Sequence, residues 1–239
     1  MGSRQENQTF MFRMAGLVLL LSAVCVLPSA ARAQTVSDKM VASVTTGARA
    51  TPDLITYSDI IWQLALEPGT PFSDRPSSAL LNRARRSLED QVLIIQEARK
   101  LPSADTPEAN AVRDKEVKDR RDELAQMFGG AARLQERMTR VGLTTAQLDL
   151  ILRDRVMVDQ YLDFRFRAFA VVTEREIQDR YDQTYGRQRN TGLIVPSLEE
   201  VRAQIERQLT EEKIEAEIDK FIDELREQPG TEIVLLNPV

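Results

Sequence analysis

The chain has 239 residues, 42% hydrophobic and 29% charged, a balance that suits a soluble globular protein of one or two domains and excludes a disordered or membrane-embedded one. A net charge of −5 argues against a general nucleic-acid surface. The absence of histidine removes the one side chain that titrates near neutrality without help and is the commonest metal ligand.

Residues 1–33 read as an export signal. Arg4 and Arg13 precede the apolar run Met14 to Leu27, and Ala31-Arg32-Ala33 gives a small-residue cleavage pattern. Fourteen residues fall short of the roughly 20 needed to span a bilayer, so cleavage near Ala33 is expected over a permanent anchor. Lipidation at Cys25, the single cysteine, is disfavoured by bulky Val24 before it. The expected exported form carries no thiol. Loss of these residues removes three of 32 basic side chains and one of 37 acidic ones, moving the net charge from −5 to −7.

From Asp38, two apolar stretches (Met40 to Val44 and Leu54 to Tyr57) flank Thr, Gly and Pro punctuation and predict a loose hairpin. Ser58 or Thr56 then caps a short helix carrying Ile60, Ile61, Trp62 and Leu64, with Trp62 expected in the core. After a Pro/Gly loop, Ser77 or Ser78 opens a helix to about Lys100, in which Leu81, Ala84, Leu88, Val92 and Ile95 keep a 3.6-residue period. Thr106, with Pro107 at the first helical position, starts a highly charged helix to Phe128 that belongs at the periphery. A short helix carrying Leu134 and Met138 stops at Gly142.

Thr144 caps a long helix to about Phe169, with a stripe from Leu148 to Phe169 and with Tyr161 and Phe164 outside it. Either neighbouring helices cover both faces or an apolar surface awaits a partner. Thr173 and Glu176 form a capping box for a helix with Ile177, Tyr181 and Tyr185, and Gly186 to Val195 reads as a polar linker.

Ser197 and Glu200 then open the longest helical pattern, to Arg226. Its first half carries Val201, Ile205 and Leu209; the stripe of its second half, from Ile214 to Leu225, is rotated round the axis. Two stripes on one helix predict a connector that leaves one set of partners and joins another. Pro229 and Gly230 end it, and Thr231 to Leu236 reads as a strand, which needs an edge supplied by the early hairpin. The expected fold is therefore mainly α, a helical lobe with a long C-terminal helix and a small sheet joining the N- and C-terminal strands. No repeat, phosphate loop, metal-ligand set or carboxylate pair stands out, so no catalytic residue and no cofactor are assigned. An exported carboxylate enzyme is the weaker rival, because scattered acids on helix faces read as solvation.

The order DKMVASV, ITYSDIIWQLAL, LLNRARRSLEDQVLIIQEARKL, GLTTAQLDLILRDRVMVDQYL, TEREIQDRYDQTYG and the closing helix before EIVLL resembles the chaperone portion of the SurA and PrsA family of exported isomerase-like proteins. The resemblance implies an N-terminal helical region over 34–185 completed by 197–239. In the relatives a parvulin isomerase domain lies between these segments; here only residues 186–196 do. With no such domain and no histidine, isomerase activity is not implied. What is implied is an ATP-independent periplasmic holdase for unfolded exported polypeptides, outer-membrane proteins among them, with no nucleic-acid partner and no stable membrane insertion after signal removal. The alternative is an assembly module that binds one dedicated partner or self-associates as a homodimer. Met127, Phe128, Met138, Tyr161, Phe164 and Phe169 are the candidate client-binding residues, each also a candidate for the core.

Overall fold

The computed structural model describes residues 38–47, 51–101, 106–167 and 170–239; the predicted signal, with Cys25 and the Ala33 cleavage site, lies outside them, as does Phe169. Among the described residues the order is β1 (Met40–Thr45), β2 (Asp53–Thr56), α1 (Tyr57–Ala65), α2 (Ser78–Ala98), α3 (Pro107–Met127), α4 (Ala131–Arg140), α5 (Thr145–Phe166), α6 (Glu174–Asn190), α7 (Leu198–Glu227) and β3 (Glu232–Leu235). The expected mainly-α class with a small terminal sheet is observed.

β1 is the middle strand of an antiparallel sheet ordered β2-β1-β3. Ala42 pairs with Ile55 on one side and Leu235 on the other, and Val44 with Asp53 and Ile233. The C-terminal strand thus completes the edge left open by the hairpin. Gln96 of α2, itself buried, donates to the Val44 carbonyl (3.2 Å) and to Asp53 Oδ2 (2.7 Å), tying helix to sheet.

The helix starts are set by the residues that satisfy otherwise orphaned first-turn amides. Thr56 rather than Ser58 caps α1, its hydroxyl accepting from the Asp59 amide while the Asp59 carboxylate accepts from the Thr56 amide. Ser77 caps α2, Thr106 caps α3, and Thr144 and Ser197 head capping boxes with Gln147 and Glu200. One boundary differs from expectation: Gly186 does not begin a linker. Its φ is not positive, so it continues α6 to Asn190, and the break comes at Gly192, whose φ of 79° is costly for other residues.

Three cores form. The first unites β1, β2, α1, α2, the C-terminal half of α5 and Phe221 and Leu225 of α7. The second joins α3, α4, Leu66 and the N-terminal half of α5 through Leu148, Leu152 and Val156; Trp62 packs on it, its indole N–H donating to the Val141 carbonyl at 3.0 Å. The third, within the α6–α7 hairpin, is made by Ile177, Tyr181, Ile205 and Leu209.

The two-stripe reading of the last helix is borne out, since Ile205 and Leu209 serve the hairpin core and Phe221 and Leu225 the main one. α5 behaves similarly. Val156, Met157 and Val158 are consecutive and all buried, which a helix allows only when neighbours cover about half its circumference. Of the two readings left open for α5, cover by neighbours on both faces holds at Tyr161, and an exposed apolar surface holds at Phe164. α3 is peripheral, as its charge predicts; it meets α5 through Val117 and Leu124 in the second core and, outside it, through ion pairs: Arg120 with Asp159 (2.8 Å), Arg121 with Asp149 (2.7 Å) and Asp114 with Arg153.

Candidate functional site

A wide concave surface lies where the end of α5, the segment before α6 and the middle of α7 meet. It is an open groove of about 1100 Å³ lined by Phe164, Phe166, Ala170, Val171, Ile214 and Ala216, with Arg165, Lys213 and Glu217 as its polar members. Phe164 is 73% exposed and Val171 is exposed beside it.

The groove is built on the main core. Phe221 stacks obliquely on Phe166 (centroids 5.5 Å apart) and Tyr161 (6.1 Å), and the Arg165 guanidinium covers the Phe221 ring at 4.3 Å. Such contacts hold the end of α5, on which Phe164 stands exposed. The segment leading into α6 is pinned at Val171 and at Thr173. Lys213 donates to the Val171 carbonyl (2.7 Å) and pairs with Glu176 (2.7 Å), while the Glu176 carboxylate accepts from the amide and hydroxyl of Thr173, both at 2.8 Å. Lys213 first, then Thr173, hold the Glu176 carboxyl down at about 2, against its usual 4.5. Val172 turns inward onto the hairpin core with Ile177, the arrangement of a hydrophobic staple, which leaves Val171 pointing out.

The five candidate residues among those described do not converge on one site. Phe164 lines the groove. Met127, 64% exposed, lines a separate cleft of about 390 Å³ between α3 and α5, crossed by the Arg120–Asp159 pair. Phe128 packs on the second core under the Arg137 guanidinium, 4.9 Å from its ring centroid. Met138, 2% exposed, and Tyr161, 8% exposed, are core residues, a correction to their candidacy as an open lining. Phe169 lies outside the described residues.

The sequence reading passed over Val171, Lys213 and Ile214. Val171 stands just before a capping box, and the staple pattern already assigns its neighbour Val172 to the inside. Ile214 lies where the two stripes of α7 change over, the point at which a connector has least cover. Both signals were present in the pattern.

Chemically the groove offers broad apolar contact with one acid and two bases at its border, and no pair of titratable groups aimed at a common point. Among the described residues no group of three or more His, Cys, Asp or Glu side chains is arranged to hold a metal ion, and no helix is long and apolar enough to cross a membrane. The sequence matches no family model and no curated protein.

Proposed function

We propose that this protein is an ATP-independent holdase for unfolded exported polypeptides, acting after removal of the predicted signal in the periplasm or an equivalent exported compartment. The observation that carries the reading is the open groove with Phe164, Val171 and Ile214 on its surface. Apolar contact of this kind is non-directional and sequence-tolerant, as capture of many clients requires. Each apolar side chain a client buries contributes about 1.5–3 kcal/mol before ordering costs, so a few such contacts support reversible, roughly micromolar binding. The resemblance to the chaperone portion of the SurA and PrsA family supports the same reading, without the isomerase domain and without its catalysis.

The test is light scattering by several unrelated unfolded proteins, outer-membrane β-barrel proteins and a soluble control, with and without residues 34–239. Suppression across the panel near molar parity, weakened by Phe164→Asp, is the expected outcome. Scattering unchanged for every client would refute the holdase reading and leave a module with one dedicated partner.

A further inference from the structure

A cavity of about 190 Å³ lies where β2, α1, α2 and α5 meet, and it shares no residue with the groove. Leu88, Val92, Ile95 and Ile151 form its apolar wall, and Leu54, half exposed, marks its mouth. Two carboxylates line it as well, Asp59 from α1 and Asp154 from α5, whereas no lysine or arginine does.

The residue that singles this cavity out is Gln63. Its side chain is nine-tenths buried, and its carbonyl oxygen accepts from the Arg155 guanidinium at 2.8 Å. That bond fixes which way the amide faces. The Nε2 hydrogens, without a partner among the described residues, are left to the cavity that Gln63 lines. A buried donor left unmade is costly, so the site calls for an acceptor. The two acids call for the opposite. Asp59 caps α1 through Oδ2, which leaves Oδ1 open. Asp154 meets Arg99 only at 3.9 Å, and burial pushes its pKa up in spite of Arg99, Arg113 and Arg153. The last two are engaged elsewhere, Arg153 on Asp114 and Arg113 on Asn110.

One ligand class answers both demands. A simple alkylamine would satisfy the acids and leave the Gln63 donor unmatched. A neutral amide would satisfy Gln63 and bring no cation to the acids, and a free amino acid would set its own carboxylate against them. A free amino group with a carbonyl one carbon away does both, and the apolar wall suits an aliphatic side chain beside them. We propose that this cavity binds the amino end of a polypeptide whose first residue is aliphatic. Its ammonium donates to Asp59 and Asp154, its first carbonyl accepts from Gln63 Nε2, and its first side chain lies against Val92 and Ile151. The proposal does not rest on the holdase reading.

Leucine amide, such an amino end in miniature, tests it by NMR on ¹⁵N-labelled residues 34–239, which contain all three cores. The expected result is a saturable shift of the Gln63 side-chain amide signal, with a dissociation constant on the order of 1 mM. N-acetyl-leucine amide keeps the carbonyl and the side chain but loses the charge, and it should bind at least about tenfold more weakly. Asp154→Asn removes one carboxylate, and Leu54→Trp fills the mouth from an exposed position. Each should weaken leucine amide by at least about tenfold. The Trp62 indole signal, set by its bond to the Val141 carbonyl, shows that both variants keep the fold. No saturation by about 10 mM, equal binding of the acetylated compound, or indifference to both substitutions overturns the proposal.

Discussion

Two phenylalanines show how burial divides structure from function at the level of the residue. Phe221 is buried against Phe166 and Tyr161, whereas Phe164, one helical turn from Tyr161, stands in water. Phe221→Ala leaves a cavity that its neighbours fill only in part and is expected to cost about 3–5 kcal/mol. Phe164→Ala removes no core contact and should change stability by no more than about 0.5 kcal/mol while weakening client capture. Urea unfolding of the two variants measures both numbers; equal destabilisation would place Phe164 in the core. Tyr161 and Met138 belong with Phe221 in this respect, and periodicity alone could not say so, since an aromatic outside the main stripe of a helix is a core residue as soon as a second neighbour covers it.

At the scale of elements, the α6–α7 arm and the body it joins are held by different forces. The arm has a small core and a set of exposed polar links: Arg180 with Glu212 (2.6 Å), Arg202 with Glu174, and Lys213 with Glu176. Hydrogen bonds from Lys213, from Ser197 and from Arg180 respectively lower the pKa of Glu176, Glu200 and Glu212. A carboxyl with a depressed folded-state pKa contributes stability above its unfolded value, which is lost as pH falls through the folded one. For Glu176 that window runs from 4.5 down to about 2. In the body, burial raises the pKa of Asp90, Asp154 and Asp159, so their contribution has the opposite sign and grows as pH falls. Acidification through this window should therefore loosen the arm before the body. Amide exchange in α6 should accelerate ahead of exchange in α2, and Glu176→Gln should flatten the response. Uniform protection at both ends of the window would contradict the assignment.

For the molecule as a whole, the decisive event is the meeting of its two ends. The C-terminal strand pairs with β1, and behind it Gly230 adopts a φ of 87° with its backbone against Gly47. A Cβ placed on Gly230 would lie 2.8 Å from the Gly47 Cα, backbone against backbone, with no side chain able to yield. Gly230→Ala thus combines a disfavoured dihedral with a clash and is expected to cost about 2 kcal/mol or more, with β3 the first element released. A melting temperature unchanged in that variant would show that the closure is not needed. A second clasp joins α7 to α2, where Arg226 near the end of α7 pairs with Asp90 (2.6 Å) and reaches buried Glu89 (3.5 Å), which also pairs with Arg85. The helix that begins in the arm is thereby locked onto α2.

Much of this design was legible along the chain. Caps at Thr106, Thr144, Thr173 and Ser197 are local hydrogen-bonding events among residues three apart, so sequence alone determined where those helices begin. The rotated stripes of α7 and the strand-forming run after Gly230 likewise foretold a connector and a closing strand. What only the tertiary structure decided was cover. Whether an apolar side chain such as Met138, Tyr161, Phe164 or Ile214 faces a neighbour or water depends on elements far away in the chain, and no local pattern carries that information. The groove exists because α5 ends, α7 changes partners and the Val171 segment is pinned between them at one place, a coincidence in space that the order of residues does not encode.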